Sequence, residues 1–233
     1  PGIAWGAANR IAFQKNGMGN APSNIRVMFS DGTRPNDLPA NASAPTPRVT
    51  PSLAPDGQTL AFAAKVGGKY KIFTWTLDDL NGVIGVPTRL TQDTEVHEKF
   101  PAWSPDGKRI AYLATDNANK TTLRVVNADG SNAKTLGDAN FPSSPAWRPD
   151  GQMLLYTDQS DGKPVLKNIL SFGGLPLVIR AKSKIIAACY SPDQKQIACF
   201  IASATVPNQS DLWVIDPFGI GGTKVADKVI GAK

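Results

Sequence analysis

The chain has 233 residues, a length typical of one large or two small domains, and its content of 41% hydrophobic and 19% charged residues is that of an ordinary globular protein. No apolar run approaches the roughly 20 residues of a membrane-spanning helix. The formal net charge is +6, but the 25 Lys and Arg residues are scattered and do not interleave with aromatic residues, which argues against nucleic-acid binding.

The first residues, "PGIAW", include no initiator Met and no charged-then-apolar leader, so we expect a processed or trimmed product. Gly (21) and Pro (19) are frequent, and turn signals recur along the whole chain. This pattern predicts an all-β fold of many short strands. No stretch places apolar residues at helical spacing over three turns.

A motif around a Pro-Asp-Gly turn recurs along the chain. It reads "PSLAPDGQTLAF" at 51–62, "PAWSPDGKRIAY" at 101–112 and "PAWRPDGQMLLY" at 145–156. Weaker copies are "AWGAANRIAF" at 4–13 and "CYSPDQKQIACF" at 189–200. The aligned large residues are Trp5, Leu53, Trp103, Trp147 and Tyr190, which are 43 to 50 residues apart. A period of this length is typical of a four-stranded propeller blade.

Each repeat divides into four predicted strands, A to D. In the third repeat, strand A covers about 98–103, and "RIAYLA", "TLRVVN" and "AKTL" follow as strands B, C and D. The sequence therefore predicts a single domain over 1–233, an all-β β-propeller of four-stranded antiparallel blades. We count five blades, or six if the chain is a fragment. Their approximate bounds are 1–47, 48–95, 96–139, 140–181 and 182–233.

The Pro-Asp-Gly turn has a conformational explanation. Pro presets the first corner, Asp bonds nearby backbone N–H groups and Gly supplies a positive φ. We therefore interpret Asp56, Asp106 and Asp150 as turn-forming residues and not as catalytic carboxylates. The copy at 189–200 carries Gln194 where Gly stands in the complete copies.

Strand B alternates large and small residues, as in Leu60-Ala61-Phe62 and Ile110-Ala111-Tyr112. This alternation lets the large side chains of one sheet pack over the alanines of the next. The recurring Trp residues are assigned to the same layer between blades.

The stretch "PAWSPDGKRIAY…LRVVNADGSNAKTL" resembles the TolB-type, WD-like β-propeller repeat. That family includes the periplasmic TolB propeller and the propeller domains of prolyl-oligopeptidase-like and tricorn-type peptidases. The resemblance covers nearly the whole chain and implies the fold. It also implies export to the periplasm or the cell surface. TolB-type propellers usually have six blades, whereas five are counted here.

Signals of catalysis are nearly absent. The chain has one His, His97, and no G-x-S-x-G, C-x-x-C, Walker or dinucleotide motif. We therefore predict no catalytic residue, no metal and no cofactor. A carbohydrate-active propeller with channel carboxylates is one alternative, in which Glu95 and Glu98 are the candidates. An accessory propeller domain of a larger peptidase is another.

One non-repeating segment stands out. "DTEVHEKF" (93–100) joins strand D of the second repeat to strand A of the third and carries Asp93, Glu95, His97 and Glu98. Alternation places Glu95 and His97 on one side and Glu98 on the other. The equivalent loop "RAKSK" carries Arg180, Lys182 and Lys184, so one face of the propeller would have an acidic and a basic sector. A solvated acidic loop or an ion site are the other interpretations.

From these residues we predict a non-catalytic scaffold that binds a protein or peptide partner through the loops of that face. The oligomeric state is left open. The two cysteines, Cys189 and Cys199, are expected to be buried free thiols on opposite sides of neighbouring strands, with a disulfide as the alternative.

Overall fold

The computed structural model of the chain describes residues 3–6, 9–17, 21–39, 46–80, 82–140, 143–160, 162–181, 185–202, 209–218 and 221–230. These residues form twenty strands in five four-stranded sheets. Every strand pair with a described register is antiparallel. The predicted all-β β-propeller of five four-stranded blades is therefore confirmed. Within the ranges above, no helix is long and apolar enough to cross a membrane.

The strands follow the repeats in chain order, four to a blade. Blade 1 contains β1 (Ile3–Gly6), β2 (Arg10–Lys15), β3 (Asn24–Phe29) and β4 (Asn36–Asp37). Blade 2 contains β5 (Arg48–Leu53), β6 (Thr59–Val66), β7 (Lys69–Leu77) and β8 (Val83–Arg89). Blade 3 contains β9 (His97–Trp103), β10 (Arg109–Thr115), β11 (Thr121–Asn127) and β12 (Lys134–Asp138).

The last two blades repeat the pattern. Blade 4 contains β13 (Ala146–Trp147), β14 (Met153–Ser160), β15 (Lys163–Leu170) and β16 (Leu177–Ala181). Blade 5 contains β17 (Ile185–Tyr190), β18 (Ile197–Ala202), β19 (Gln209–Ile215) and β20 (Gly222–Ile230). The chain also divides into two compact units, Pro1–Asn119 with Val125–Lys134, and Lys120–Arg124 with Thr135–Lys233.

In the first unit, the two faces of β6 enter two different hydrophobic clusters. Leu60 and Phe62 pack with Trp75 in one cluster, while Ala61 and Ala63 belong to the other. All five side chains are at most 1% exposed. The alternation of large and small residues on strand B is thus the alternation between two inter-blade layers, as the sequence predicts.

The recurring large residue of strand A is part of these layers in most copies. Leu53, Trp147 and Tyr190 are buried. Trp103 is only partly buried but packs against the cluster that contains Ala61 and Ala63. The side chain of Trp5 lies outside the described part of the chain.

The Pro-Asp-Gly turns have the predicted construction. Asp56 Oδ1 accepts the Gln58 N–H at 2.8 Å, and Asp106 Oδ1 accepts the Lys108 N–H at 3.1 Å. Gly107 has φ of +67°, and Gln194 adopts nearly the same angle, +64°. A Cβ in this left-handed region carries a steric cost that Gly avoids.

Replacing Gln194 by Gly is therefore expected to raise the free energy of unfolding by about 1 kcal/mol, because it removes the left-handed strain. Urea denaturation followed by tryptophan fluorescence measures the change. Gly107→Ala is the matched control and should lower stability by a similar amount. A neutral or destabilising Gln194→Gly substitution would mean that the Gln side chain contributes a compensating contact.

The cysteines follow the predicted register but not the predicted burial. Tyr190 pairs with Ile197 across β17 and β18, which sends the two thiols to opposite faces. The two cysteines do not form a disulfide, and Cys199 is buried, but Cys189 is exposed. The prediction that Cys189 is buried is therefore wrong: its face of β17 also leaves Ala187 exposed.

Candidate functional site

The D-to-A segment, residues 90–96, joins β8 to β9 in the first unit. It begins beside strand C of blade 2, where the Leu90 N–H donates to the Ile72 carbonyl at 2.8 Å. Leu90 and Val96 are both buried and anchor its two ends. The residues between them include Thr94 and Glu95, which are exposed. The segment is therefore an anchored loop with an exposed middle.

Three basic side chains bind the backbone of the D-to-A segment. Lys71 donates from Nζ to the carbonyls of Asp93 and Val96, the latter at 2.6 Å. Lys69 Nζ donates to the Glu95 carbonyl at 2.6 Å. Arg89 Nε donates to the Thr91 carbonyl, also at 2.6 Å. Hydrogen bonds from charged donors are about twice as strong as neutral ones, so these contacts hold the segment in one conformation.

A buried carboxyl lies below the segment. Glu98 is 0% exposed, and its Oε2 accepts a hydrogen bond from the Thr91 hydroxyl, while its Oε1 has no hydrogen-bond partner. Burial raises the pKa of Glu98 against the opposing effects of Thr91 and the Lys71 charge. Burial also lowers the pKa of Lys71, which is 2% exposed. Glu98 thus belongs to the support of the loop and is not accessible to a partner.

One repeat earlier, the positions equivalent to Glu98 and Lys71 are occupied by Arg48 and Asn24, so the buried charge has the opposite sign. Arg48 lies five residues before Leu53, as Glu98 lies five before Trp103, and it is also 0% exposed. Its Nη1 donates to Asn24 Oδ1 at 3.1 Å, and its Nη2 donates to the Pro39 carbonyl at 2.9 Å. By the register of strands B and C, Asn24 is the equivalent of Lys71. A buried polar group at the start of strand A thus supports the preceding D-to-A connection in both blades.

The aromatic ring of Tyr70 lies next to His97 and to a lysine. The Tyr70 N–H donates to His97 Nδ1 at 3.4 Å, and the two rings are 6.3 Å apart. Lys99 Nζ lies 4.2 Å from the centre of the Tyr70 ring. The pKa of His97 is lowered, first by burial and then by the charges of nearby lysines, Lys99 foremost. His97 is therefore a neutral hydrogen-bond acceptor at pH 7.

The structure brings four of the seven predicted site residues together. Asp93, Glu95 and His97 lie on or beside the D-to-A segment, with Glu95 exposed and the other two partly so. Glu98 lies beneath it. Arg180 is in β16, but its side chain is outside the described part, as are Lys182 and Lys184 altogether. The predicted basic sector therefore stays a prediction.

Sequence reasoning missed the lysines that surround the predicted acidic segment. Lys65, Lys69 and Lys71 are on β6 and β7, and Lys99 is on β9. The motif "KVGGKYK" (65–71) carries the signal, because a two-residue glycine turn brings its three lysines near one end of the hairpin. The surroundings of the acidic segment are consequently basic.

The first unit also has a groove of about 460 Å³ at the opposite end of strand A. Its walls include Trp103 and the turn residues Pro55, Asp56, Pro105 and Asp106. Both carboxylates already accept turn N–H groups. Among the described residues, no three His, Cys, Asp or Glu side chains are placed to hold a metal ion.

Comparison with known families assigns the fold. The sequence profile of the TolB β-propeller domain matches residues 6–181. The chain belongs to the TolB β-propeller domain family. The three complete copies of the Pro-Asp-Gly motif lie within the matched range. No curated protein sequence matches the chain.

Solved TolB structures share the fold at low sequence identity. TolB from Acinetobacter baumannii is 16% identical with a TM-score of 0.75, and the match covers 98% of this chain but 55% of that one. The protein assigned as TolB in Agrobacterium tumefaciens is 17% identical with a TM-score of 0.77, covering 97% of this chain and 80% of that one. Puromycin hydrolase is 16% identical with a TM-score of 0.69, covering 97% and 39%. This chain therefore spans about half the length of the first of these structures and about two fifths of puromycin hydrolase.

Proposed function

We propose that this TolB-type propeller is a non-catalytic scaffold that binds a protein or peptide partner through its D-to-A connections. One observation carries the proposal: the segment 90–96 is held by basic side chains on its backbone carbonyls, while the side chains of Gln92, Thr94 and Glu95 are exposed. A loop that is rigid before binding loses little conformational entropy when a partner docks. The exposed Glu95 of this segment and the partly exposed His97 beside it are the contact residues.

The family supports a location for the scaffold. Related TolB proteins are periplasmic, so we place this propeller in the periplasm or at the cell surface. A partner at that location would be another envelope or secreted protein.

The absence of catalysis is part of the proposal. Asp56 and Asp106 use their carboxylates to accept turn N–H groups, and the carboxyl of Glu98 is buried. A screen of peptide and oligosaccharide substrates tests this half of the proposal. Turnover that depends on Glu95 or Glu98 would contradict it.

Site-specific photocrosslinking tests the binding half. A benzophenone side chain at position 94, exposed on the D-to-A segment, is expected to form discrete adducts with a partner in an envelope extract. The same side chain at position 58, exposed on the Pro-Asp-Gly turn at the other end of strand A, is the matched control. Adducts from position 58 alone, or from neither position, would overturn the proposed binding face.

A further inference from the structure

Three lysines and His97 surround Tyr70 on the side of blade 2 that faces blade 3. Lys65 pairs directly with Tyr70 across β6 and β7, and Lys99 Nζ lies over the Tyr70 ring. Lys69 is the neighbour of Tyr70 in the chain. We call Lys65, Lys69 and Lys99 the lysine cluster; it lies within the first unit.

The charge of the lysine cluster is poorly compensated. Only Lys69 is paired, with Glu95 Oε2 at 3.6 Å, and the Glu95 side chain is 77% exposed. Within the described part of the chain, no carboxylate lies within 4.0 Å of Lys65 or Lys99. Such an exposed pair contributes little, so most of the positive potential remains.

The pKa shifts of Lys99 and of the neighbouring His97 agree with this charge balance. The pKa of Lys99 is lowered, first by burial and then by repulsion from Lys65. The charges of Lys99, Lys69 and Lys65 also lower the pKa of His97. A carboxylate beside Lys65 or Lys99 would relieve this repulsion, and no described residue of the chain places one within 4.0 Å of either.

We infer that the lysine cluster binds a carboxylate-rich segment of a protein partner. This inference rests on the proposed function and names the chemistry of the partner at the same face. The carboxylates of the partner would contact Lys65 and Lys99, and its backbone would pass over the B–C turn. Gly67 and Gly68 form that turn, and a Cβ at either would meet nothing within 4 Å, so the approach is open.

The surroundings favour an acidic peptide over other anions. The Lys99 ammonium lies over the Tyr70 ring, and the Tyr70 side chain also packs against the cluster that contains Ala61 and Ala63, so these contacts compete with the stacking of a nucleic-acid base. The only large apolar side chain of the hairpin that is exposed is Val66, at 37%, too little to insert into a lipid surface. Lysines are point charges that suit single carboxylates, whereas bidentate phosphate recognition favours Arg.

A binding assay with a defined probe tests the inference. The probe is a fluorescein-labelled decapeptide of alternating Glu and Ala, compared with its Gln-Ala counterpart by fluorescence anisotropy at 50 mM salt. We expect the Glu peptide to bind and the Gln peptide not to bind. The Lys65→Glu/Lys99→Glu double variant is expected to lose at least tenfold in affinity for the Glu peptide, because two attractive charges become repulsive.

A charge-matched variant separates the site from the overall charge. Lys108→Glu/Lys195→Glu changes two exposed lysines of the Pro-Asp turns and alters the net charge equally. An equal loss in this variant would show a general effect of a basic chain and overturn the inference. If circular dichroism shows that the charge-reversed variant does not fold, Lys65→Gln/Lys99→Gln replaces it. We then expect a smaller loss of affinity for the Glu peptide.

Two further probes distinguish the other anions. Binding of a single-stranded oligonucleotide or of phosphatidylglycerol vesicles, without binding of the Glu peptide, would overturn the inference. Peptide binding without crosslinks at position 94 would support the binding of acidic peptides by the lysine cluster. It would contradict the proposal that the protein partner docks on the D-to-A segment. Crosslinks at position 94 without peptide binding would reject only the acidic chemistry.

Discussion

Replacing Arg48 by Met is expected to lower the free energy of unfolding by about 3 kcal/mol. The guanidinium is fully buried and donates to the carbonyls of Leu38 and Pro39, at 3.2 and 2.9 Å. It also lies 5.4 Å from the ring centre of the buried Trp75. Met fills much of the volume but removes the charged donor. The Leu38 carbonyl keeps a hydrogen bond from Asn24 Nδ2 at 2.8 Å, so the main losses are the bond to the Pro39 carbonyl and the contact with Trp75. A hydrogen bond to a charged group contributes about 1.5 to 3 kcal/mol. Urea denaturation of both proteins measures the difference.

An exposed basic residue provides the control for Arg48. Lys108→Met removes a charge at a turn without breaking a described side-chain contact, and it should change stability by no more than about 0.5 kcal/mol. Equal effects of the two substitutions would show that water replaces the guanidinium at the carbonyls. The buried Arg48 would then have no special role in supporting the first D-to-A connection.

Glu98→Gln is expected to stabilise the protein at pH 8 by about 1 to 3 kcal/mol, because it removes a buried charge with one unpartnered oxygen. Burial raises the folded-state pKa of Glu98 above its unfolded value, so the folded state binds this proton more tightly. The free-energy cost of burying the Glu98 charge therefore has its full value above the folded-state pKa. It falls as the pH drops through that value and disappears below the unfolded pKa.

The free energy of unfolding of both proteins, measured at several pH values between 4 and 8, tests the direction of this pH dependence. The advantage of the Gln variant should shrink on acidification. Glu95→Gln, at an exposed carboxylate of the same segment, should show no comparable pH dependence. A Gln variant that is less stable than the native protein at pH 8 would show that the Glu98 charge stabilises the buried Lys71 by more than its own desolvation costs.

Much of the fold could be predicted because it depends on local rules. The Pro-Asp-Gly turn, the alternation in strand B and the register of Cys189 against Cys199 depend on neighbouring residues or on adjacent strands. The exposed state of Cys189 could not be predicted, because alternation assigns a face but does not show what covers that face. The equivalence of Arg48 and Glu98 was not recognised, since residues of opposite charge do not align as a repeat.

The candidate site was predicted only in part for the same reason. The sequence of segment 93–98 is acidic, since it carries Asp93, Glu95 and Glu98. Across the hairpin and from the next blade, however, Lys65, Lys69 and Lys99 surround it. A charge in one loop does not determine the local potential when other strands contribute more charges to the same place.

The sequence by itself determined the repeat, the strand order, the turn chemistry and the TolB-type fold, because a short structural period repeats in the residues that form it. Only the tertiary structure decided that Glu98 is buried while Glu95 is exposed. It also decided that Lys69 and Lys71 bind the backbone of the segment between β8 and β9. Those properties depend on the packing of one blade against the next, which brings together residues far apart in the chain.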